Sequence, residues 1–168
     1  MINKLRKYIS NATTGLDAIQ RAPIVDYETD LRCLRIQDIS QSKSFSNWGF
    51  TSADKEEVSN FLIKNGDNFM ARTGSTIGCS LYSNSNLESV FNNGLIRLRT
   101  NNQMLPKYLS YVMQTNSFQH YVYGVSMASA TQPNIKINDL LDYELDVPFV
   151  EQQQHIVNTT SSLLLKSL

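Results

Sequence analysis

Short strand-like runs broken by Asn, Ser and Gly fill most of this sequence, and that punctuation constrains the fold more than any other feature. Each break lets the chain turn at little conformational cost, so the pattern predicts a sheet-rich domain rather than a bundle. In Tyr143-Glu144-Leu145-Asp146-Val147, apolar and acidic residues alternate strictly, which predicts a strand with one buried face. Ile96-Arg97-Leu98-Arg99 alternates in the same way, and the pattern puts both arginines on an outward face. Leu31 to Ile36 and Asn68 to Arg72 are further strand candidates, the second bounded by Gly66-Asp67 and Gly74.

Two segments read as helices. Pro106 through Phe118 opens on a proline suited to a first turn and places Leu109, Val112 and Met113 at helical spacing. The second runs from Val150 to the C-terminus, with Glu151 in its first turn, where a carboxylate meets the helix dipole favourably. Ile156 and Leu163 are seven apart, as are Val157 and Leu164, so one stripe forms with Gln153 and Thr160 between. Asn158-Thr159-Thr160 has poor helix propensity, so this helix needs packing to hold its length. It reaches Leu168 without a capping residue, as an interrupted helix does.

With 168 residues, 41% of them hydrophobic, the chain fits one domain with an appended element. Cys33 and Cys79 are too few for a disulfide framework and lack metal-ligand spacing, so both read as small buried apolar residues. No apolar stretch is long enough to span a bilayer, and the expected location is the cytoplasm. Fifteen basic and fifteen acidic residues cancel. The whole-molecule field therefore draws no phosphate backbone, and DNA binding would need a local patch or a partner's contacts.

The most distinctive segment is Gly66-Asp67-Asn68-Phe69-Met70-Ala71-Arg72-Thr73-Gly74-Ser75-Thr76-Ile77-Gly78. A strand ending at an arginine passes into a loop of glycines and hydroxyls, where backbone amides can approach a ligand such as phosphate. It is not a nucleotide-binding P-loop, because Cys79-Ser80 stands where a Lys-Ser or Lys-Thr pair is required. A tight strand-connecting turn without a ligand is the plain alternative. His120 and His155 have no nucleophile motif nearby and read as surface residues. Asp54-Lys55-Glu56-Glu57 reads as a solvated helix start after Thr51 or Ser52. Lys43, Phe45, Trp48 and Phe50 interleave charge with aromatics, as a groove-contacting loop or a loop pinned by a buried ring would. No catalytic residue and no metal site is assigned.

The run Ala71-Arg72-Thr73-Gly74-Ser75-Thr76-Ile77-Gly78 resembles the glycine-rich loop of type I restriction-modification specificity subunits, and other landmarks follow in that family's order. Leu34-Arg35-Ile36-Gln37-Asp38-Ile39 is similar to its early strand, Asn92 to Arg99 to the strand after the loop, and Pro106-Lys107-Tyr108-Leu109 to the next helix. Ala130-Thr131-Gln132-Pro133-Asn134-Ile135, Asp139-Leu140 and Val147-Pro148-Phe149-Val150-Glu151-Gln152 resemble its closing loop, strand and helix lead-in. Phe149 departs from the family's second proline.

The resemblance implies an α/β domain of α+β type, with a twisted, mostly antiparallel sheet and a protruding C-terminal helix. Residues 1–148 would be a DNA target-recognition domain and 149–168 the start of the spacer helix. It implies a non-catalytic chain that reads double-stranded DNA for separate methylation and restriction subunits, which use S-adenosylmethionine, ATP and Mg. The expected DNA contacts are Arg21, Lys43, Arg72, Thr73, Ser75, Gln132, Asn134 and Lys136, able to meet base edges or phosphates. An internal ion pair is the competing role for Arg72. Gln153, Ile156, Thr160 and Leu163 would form a helix interface, through which two copies can pair. The alternatives are a small hydrolase or nucleotide-binding enzyme using the Gly74 to Gly78 loop, and a helix-mediated protein-interaction module.

Overall fold

A computed structural model describes residues 1–128 and 131–166. Ala130 of the closing-loop landmark and the chain end at Leu168 lie outside the described residues. The strands are β1 (Ile2–Lys4), β2 (Ile9–Thr14), β3 (Ile24–Val25), β4 (Leu31–Leu34), β5 (Gly49–Thr51), β6 (Asn68–Ala71), β7 (Ser80–Tyr82), β8 (Ser89–Phe91), β9 (Leu95–Thr100) and β10 (Glu144–Asp146). The helices are α1 (Ile36–Ser40), α2 (Pro106–Val112), α3 (Asn116–Ser126), α4 (Ile137–Leu141) and α5 (Val150–Lys166). The expected α+β class with mostly antiparallel pairing holds: one four-stranded sheet runs β2-β9-β6-β7, a second runs β3-β5-β4-β8, and β1 pairs with β10. The β4–β8 pair is parallel.

Alternation along β6 and β9 builds two cores on opposite faces of the first sheet. Met70, Ile96 and Leu98 point to a core shared with Leu109 and Met113 from the α2 region, Phe118 and Val122 of α3 and Leu140 of α4. Phe69, Ala71 and Leu95 point the other way, to a core shared with Leu34, Ile39, Trp48 and Phe91. A third, smaller core gathers Leu16, Leu31, Cys33, Val58 and Val90 behind the second sheet.

This double cover overturns the outward placement of the two arginines. Arg97 is buried, its guanidinium centred 5.2 Å from the Phe91 ring and donating to the Asn60 carbonyl and to Asn11 Oδ1. Its Nε has no partner among the described residues. Burial, then the neighbouring Arg99 charge, lowers its pKa to about 10 against an upward pull from Asp67, so it stays charged at neutral pH. Arg99 is half-buried and grips the fully buried Asp67 through Nε and Nη2 at 2.6 and 3.1 Å. A two-residue period cannot tell a solvent face from a face that a second sheet covers.

Three other expectations shift locally. Leu34 to Ile39 leaves β4 at Leu34 and turns into α1, because Asp38 Oδ2 accepts the Arg35 backbone N–H at 2.9 Å and closes a helical first turn. The helix predicted over Pro106 to Phe118 is two: α2 stops, and Thr115 Oγ1 accepts the Phe118 N–H to start α3. Asp54 begins a turn and not a helix, its Oδ1 accepting from the Glu56 and Glu57 amides. Of the cysteines, Cys33 is buried and Cys79 only partly so.

α5 begins at Val150 as expected, with Glu151 in its first turn. Gln153, expected on a partner-facing stripe, instead turns into the domain. Its Oε1 accepts the Leu105 N–H at 2.8 Å, and its Nε2 donates to the carbonyls of Gln103 and Pro148 at 2.9 and 2.8 Å. A turn or two further on, Ser161 and Tyr111 of α2 share a hydrogen bond of 2.9 Å. Helix α5 is thus fastened beside both ends of α2, and the outer side carries Ile156 (38% exposed) and Leu163 (63%). Thr160 is half-buried.

Gln153→Ala removes three part-buried hydrogen bonds, to the Leu105 N–H and to the Gln103 and Pro148 carbonyls. It is expected to lower stability by about 2 kcal/mol, read as an earlier midpoint in urea unfolding. Burial pushes the Cys33 thiol up to about 12. Native protein at pH 8 should therefore leave Cys33 unmodified by a disulfide reagent, with mass spectrometry finding it labelled only after denaturation.

Candidate nucleic-acid interface

The glycine-rich loop is a self-bonded turn at the end of β6. Gly78 N–H donates to the Ala71 carbonyl and Ala71 N–H to the Cys79 carbonyl, while Ile77 and Cys79 donate back to Gly74 and Thr76. Gly74 and Gly78 have φ of +78° and +89°, the left-handed region that glycine adopts without strain. Four amides expected to be available to a ligand, those of Gly74, Ile77, Gly78 and Cys79, are therefore used inside the protein. What the loop presents outward is side chains, among them exposed Ser75.

The closing loop lies directly against it. Thr73 and Asn134 form an antiparallel bridge, flanked by Gly74 N–H to the Pro133 carbonyl at 3.1 Å and Ile135 N–H to the Arg72 carbonyl at 2.9 Å. Two segments 62 positions apart, at Arg72 and Asn134, thereby become one surface. Arg72, Thr73, Ser75, Gln132, Asn134 and Lys136 all belong to these two segments, and Gln132 and Lys136 are exposed.

Arg72 is half-exposed and makes no ion pair with any carboxylate among the described residues, so the competing internal ion-pair role has no support. Its guanidinium contacts are to neutral acceptors, Asn134 Oδ1 and the Asn93 carbonyl. Neutral acceptors orient a guanidinium while leaving its charge uncancelled, as a groove or phosphate contact needs.

The structure does not gather the other two candidates here. Lys43 Nζ lies 3.5 Å from Oδ1 of the buried Asp38, which Arg35 also grips through Nε at 3.1 Å. Trp48 is buried, its Nε1–H donating to the Lys43 carbonyl, and Phe45 packs edge-on against it. That loop is pinned by an aromatic, the simpler of its two readings. Arg21 is exposed but sits 5.3 Å over the Phe61 ring, beside the third core.

Two residues with no pattern to announce them prove important. The Asn93 carbonyl meets Arg72, and Gln119 of α3 donates from Nε2 to the carbonyls of Gly78 and Met113 at 3.0 and 2.6 Å, clamping the loop from below. Between α1 and the loop runs an open groove of about 580 Å³, lined by Ser42, Ser80, Gln114 and Gln119 with Ile39 and Ile77, and free of charged side chains. His120 and His155 are exposed on α3 and α5. Among the described residues no group of three His, Cys, Asp or Glu side chains is placed to hold a metal ion, and no helix is long and apolar enough to cross a membrane.

The site is thus two paired loops on a mixed α+β domain, presenting an arginine that has no carboxylate partner among the described residues. The family model for the type I restriction modification DNA specificity domain matches residues 33–166, and the chain belongs to that family. Its fold is similar to a chain solved in work on complex assembly and conformational transition of the type I R-M system, with TM-score 0.71 and 15% identity over 99% of this chain and 38% of that one. It is also similar to the type I restriction-modification S subunit from M. genitalium, with TM-score 0.64 and 17% identity over 96% of this chain and 38% of that one. The HsdS subunit from Thermoanaerobacter tengcongensis gives TM-score 0.65 and 17% identity over 99% and 37%. The chain thus spans less than two-fifths of each of those chains. No curated protein matches the sequence significantly.

The two loop glycines should differ in tolerance. A Cβ on Gly74 meets nothing within 4 Å, whereas one on Gly78 comes within 2.5 Å of Gln119 Oε1 and displaces the clamp. Gly74→Ala is expected to cost about 1 kcal/mol of backbone strain and Gly78→Ala about 2 kcal/mol or more, measured by thermal unfolding.

Proposed function

We propose that this chain is one DNA-reading unit of a type I specificity subunit, choosing the sequence on which separate subunits act. The observation that carries this reading is Arg72, held at the junction of two loops by neutral partners and left with its charge unpaired. Arg72, Thr73, Ser75, Gln132, Asn134 and Lys136 form its contact surface for the duplex, with hydroxyls and amides serving phosphates or base edges. Lys43 and Arg21 are peripheral, Lys43 held by Asp38 and Arg21 lying over Phe61. With zero net charge, affinity depends on this patch and on phosphate contacts from partners.

In this reading residues 1–148 recognise the target and residues 149–168 begin the spacer helix. The partners are methylation subunits, which transfer a methyl group from S-adenosylmethionine to adenine, and restriction subunits, which use ATP and Mg. This chain supplies selection and no bond-breaking step, and it acts in the cytoplasm. The outer side of α5, with Ile156 and Leu163 exposed, suits pairing with a second helix. Where that helix belongs to a second copy, two-fold symmetry gives a palindromic target interrupted by a fixed spacer.

Sequencing the modified bases of the source genome, with the gene intact and deleted, tests this directly. The expected result is a two-part adenine-methylation motif that disappears on deletion. An unchanged methylome overturns the proposal, and an asymmetric motif overturns pairing of two identical copies.

A further inference from the structure

The guanidinium of Arg72 offers five coplanar N–H donors. Nε and Nη2 both donate to Asn134 Oδ1, each at 3.4 Å. Because these two nitrogens share one acceptor, the occupied edge is the side of the guanidinium. The end edge, where Nη1 and Nη2 each carry a hydrogen, points elsewhere, and the 3.5 Å contact to the Asn93 carbonyl takes at most one of the two hydrogens on Nη1.

Asn134 is itself held in place. Its N–H donates to the Ser126 carbonyl at 3.4 Å, and the bridge to Thr73 ties its backbone to the residue after Arg72. The acceptor and the arginine that it orients therefore ride on one short ladder, which fixes their relative position.

We propose that Asn134 is a positioning residue that turns the end edge of Arg72 outward to read a guanine, and that Asn134 does not itself read a base. The inference rests on the DNA-recognition reading above. A fork of two parallel N–H groups matches the O6 and N7 acceptors of guanine in the major groove. A phosphate contact needs the charge but not a fixed plane, whereas a base edge is met in one plane only. An aspartate at 134 would turn the same contact into an internal ion pair, cancelling the charge of the arginine while leaving its end edge directed as before.

The test is the methylation motif written in cells carrying Arg72→Lys, Asn134→Ala or Asn134→Asp in the full-length gene, with protein abundance measured by immunoblot. Arg72→Lys is expected to abolish the preference for G·C at one motif position and leave the others intact. Asn134→Ala should relax that same position about tenfold, the worth of a bidentate contact. Asn134→Asp keeps the acceptor and should retain the G·C preference there while lowering methylation at all sites through lost positive charge.

A change at a different, A·T position in Asn134→Ala shows Asn134 reading adenine and overturns the proposal. So does a uniform loss across positions in both Arg72→Lys and Asn134→Ala at normal abundance, which assigns the pair to phosphate. Both differ from failure of the recognition reading, in which deleting the gene leaves the methylome as it was.

Discussion

Burial of the β2-β9-β6-β7 sheet on both faces is the constraint on which the rest of this molecule depends. Helices α2, α3 and α4 close one face and the β3-β5-β4-β8 sheet closes the other, so β6 and the first four residues of β9 have no solvent side. A strand in that position must pair the polar groups it carries, and among the side chains of the described residues only Arg97 Nε is buried without a partner. Asp67 and Arg99 answer each other at the end of β6, Asn68 donates to the Pro106 carbonyl, and Arg97 lies against Phe91 with carbonyl and amide partners. The sheet gains rigidity, and the loops at its end inherit it.

The interface is built at that rigid end. Ala71 closes β6 and Leu95 opens β9, so Arg72 and Asn93 emerge side by side, and the Arg72 N–H donates to the Gly94 carbonyl at 3.0 Å. The closing loop then returns from α3 to lie along Arg72 and Thr73, with α4 following at once to anchor its other side. Gln119 from α3 and the shared core below fix the loop by contacts that need no charge. A cationic tip on a neutral, tightly hydrogen-bonded base suits a chain whose charges sum to zero. Helix α5 is joined to the same body through Gln153, which bonds the chain entering α2 and the chain entering α5.

Much of the fold was legible because side-chain periodicity reports burial directly. β10, β6 and α5 lie where alternation or helical spacing places them, and Pro106 does open a helix. The glycine-rich loop was legible too, since positive φ at Gly74 and Gly78 is what glycine in a tight turn supplies. Arg97 was misplaced because period two is silent about what lies beyond each face. Gln153 was misplaced because helical spacing put it on a stripe with Ile156 and Leu163, and spacing does not show that the Leu105 N–H needs its side chain. The second helix, Asn116–Ser126, was missed since its start depends on one threonine hydroxyl acting as a cap.

By itself the sequence determined which residues can turn, which can be buried, and that Arg72 sits between a strand and a glycine turn, for these follow from local sterics and solvation. The order of its landmarks also pointed to the family. Only the tertiary structure decided which cations remain available: Lys43 meets Asp38 and Arg99 meets Asp67, while among the described residues Arg72 meets only neutral oxygens. Pairing of charges depends on distance in space, and chain separation carries no information about it until the sheets are stacked.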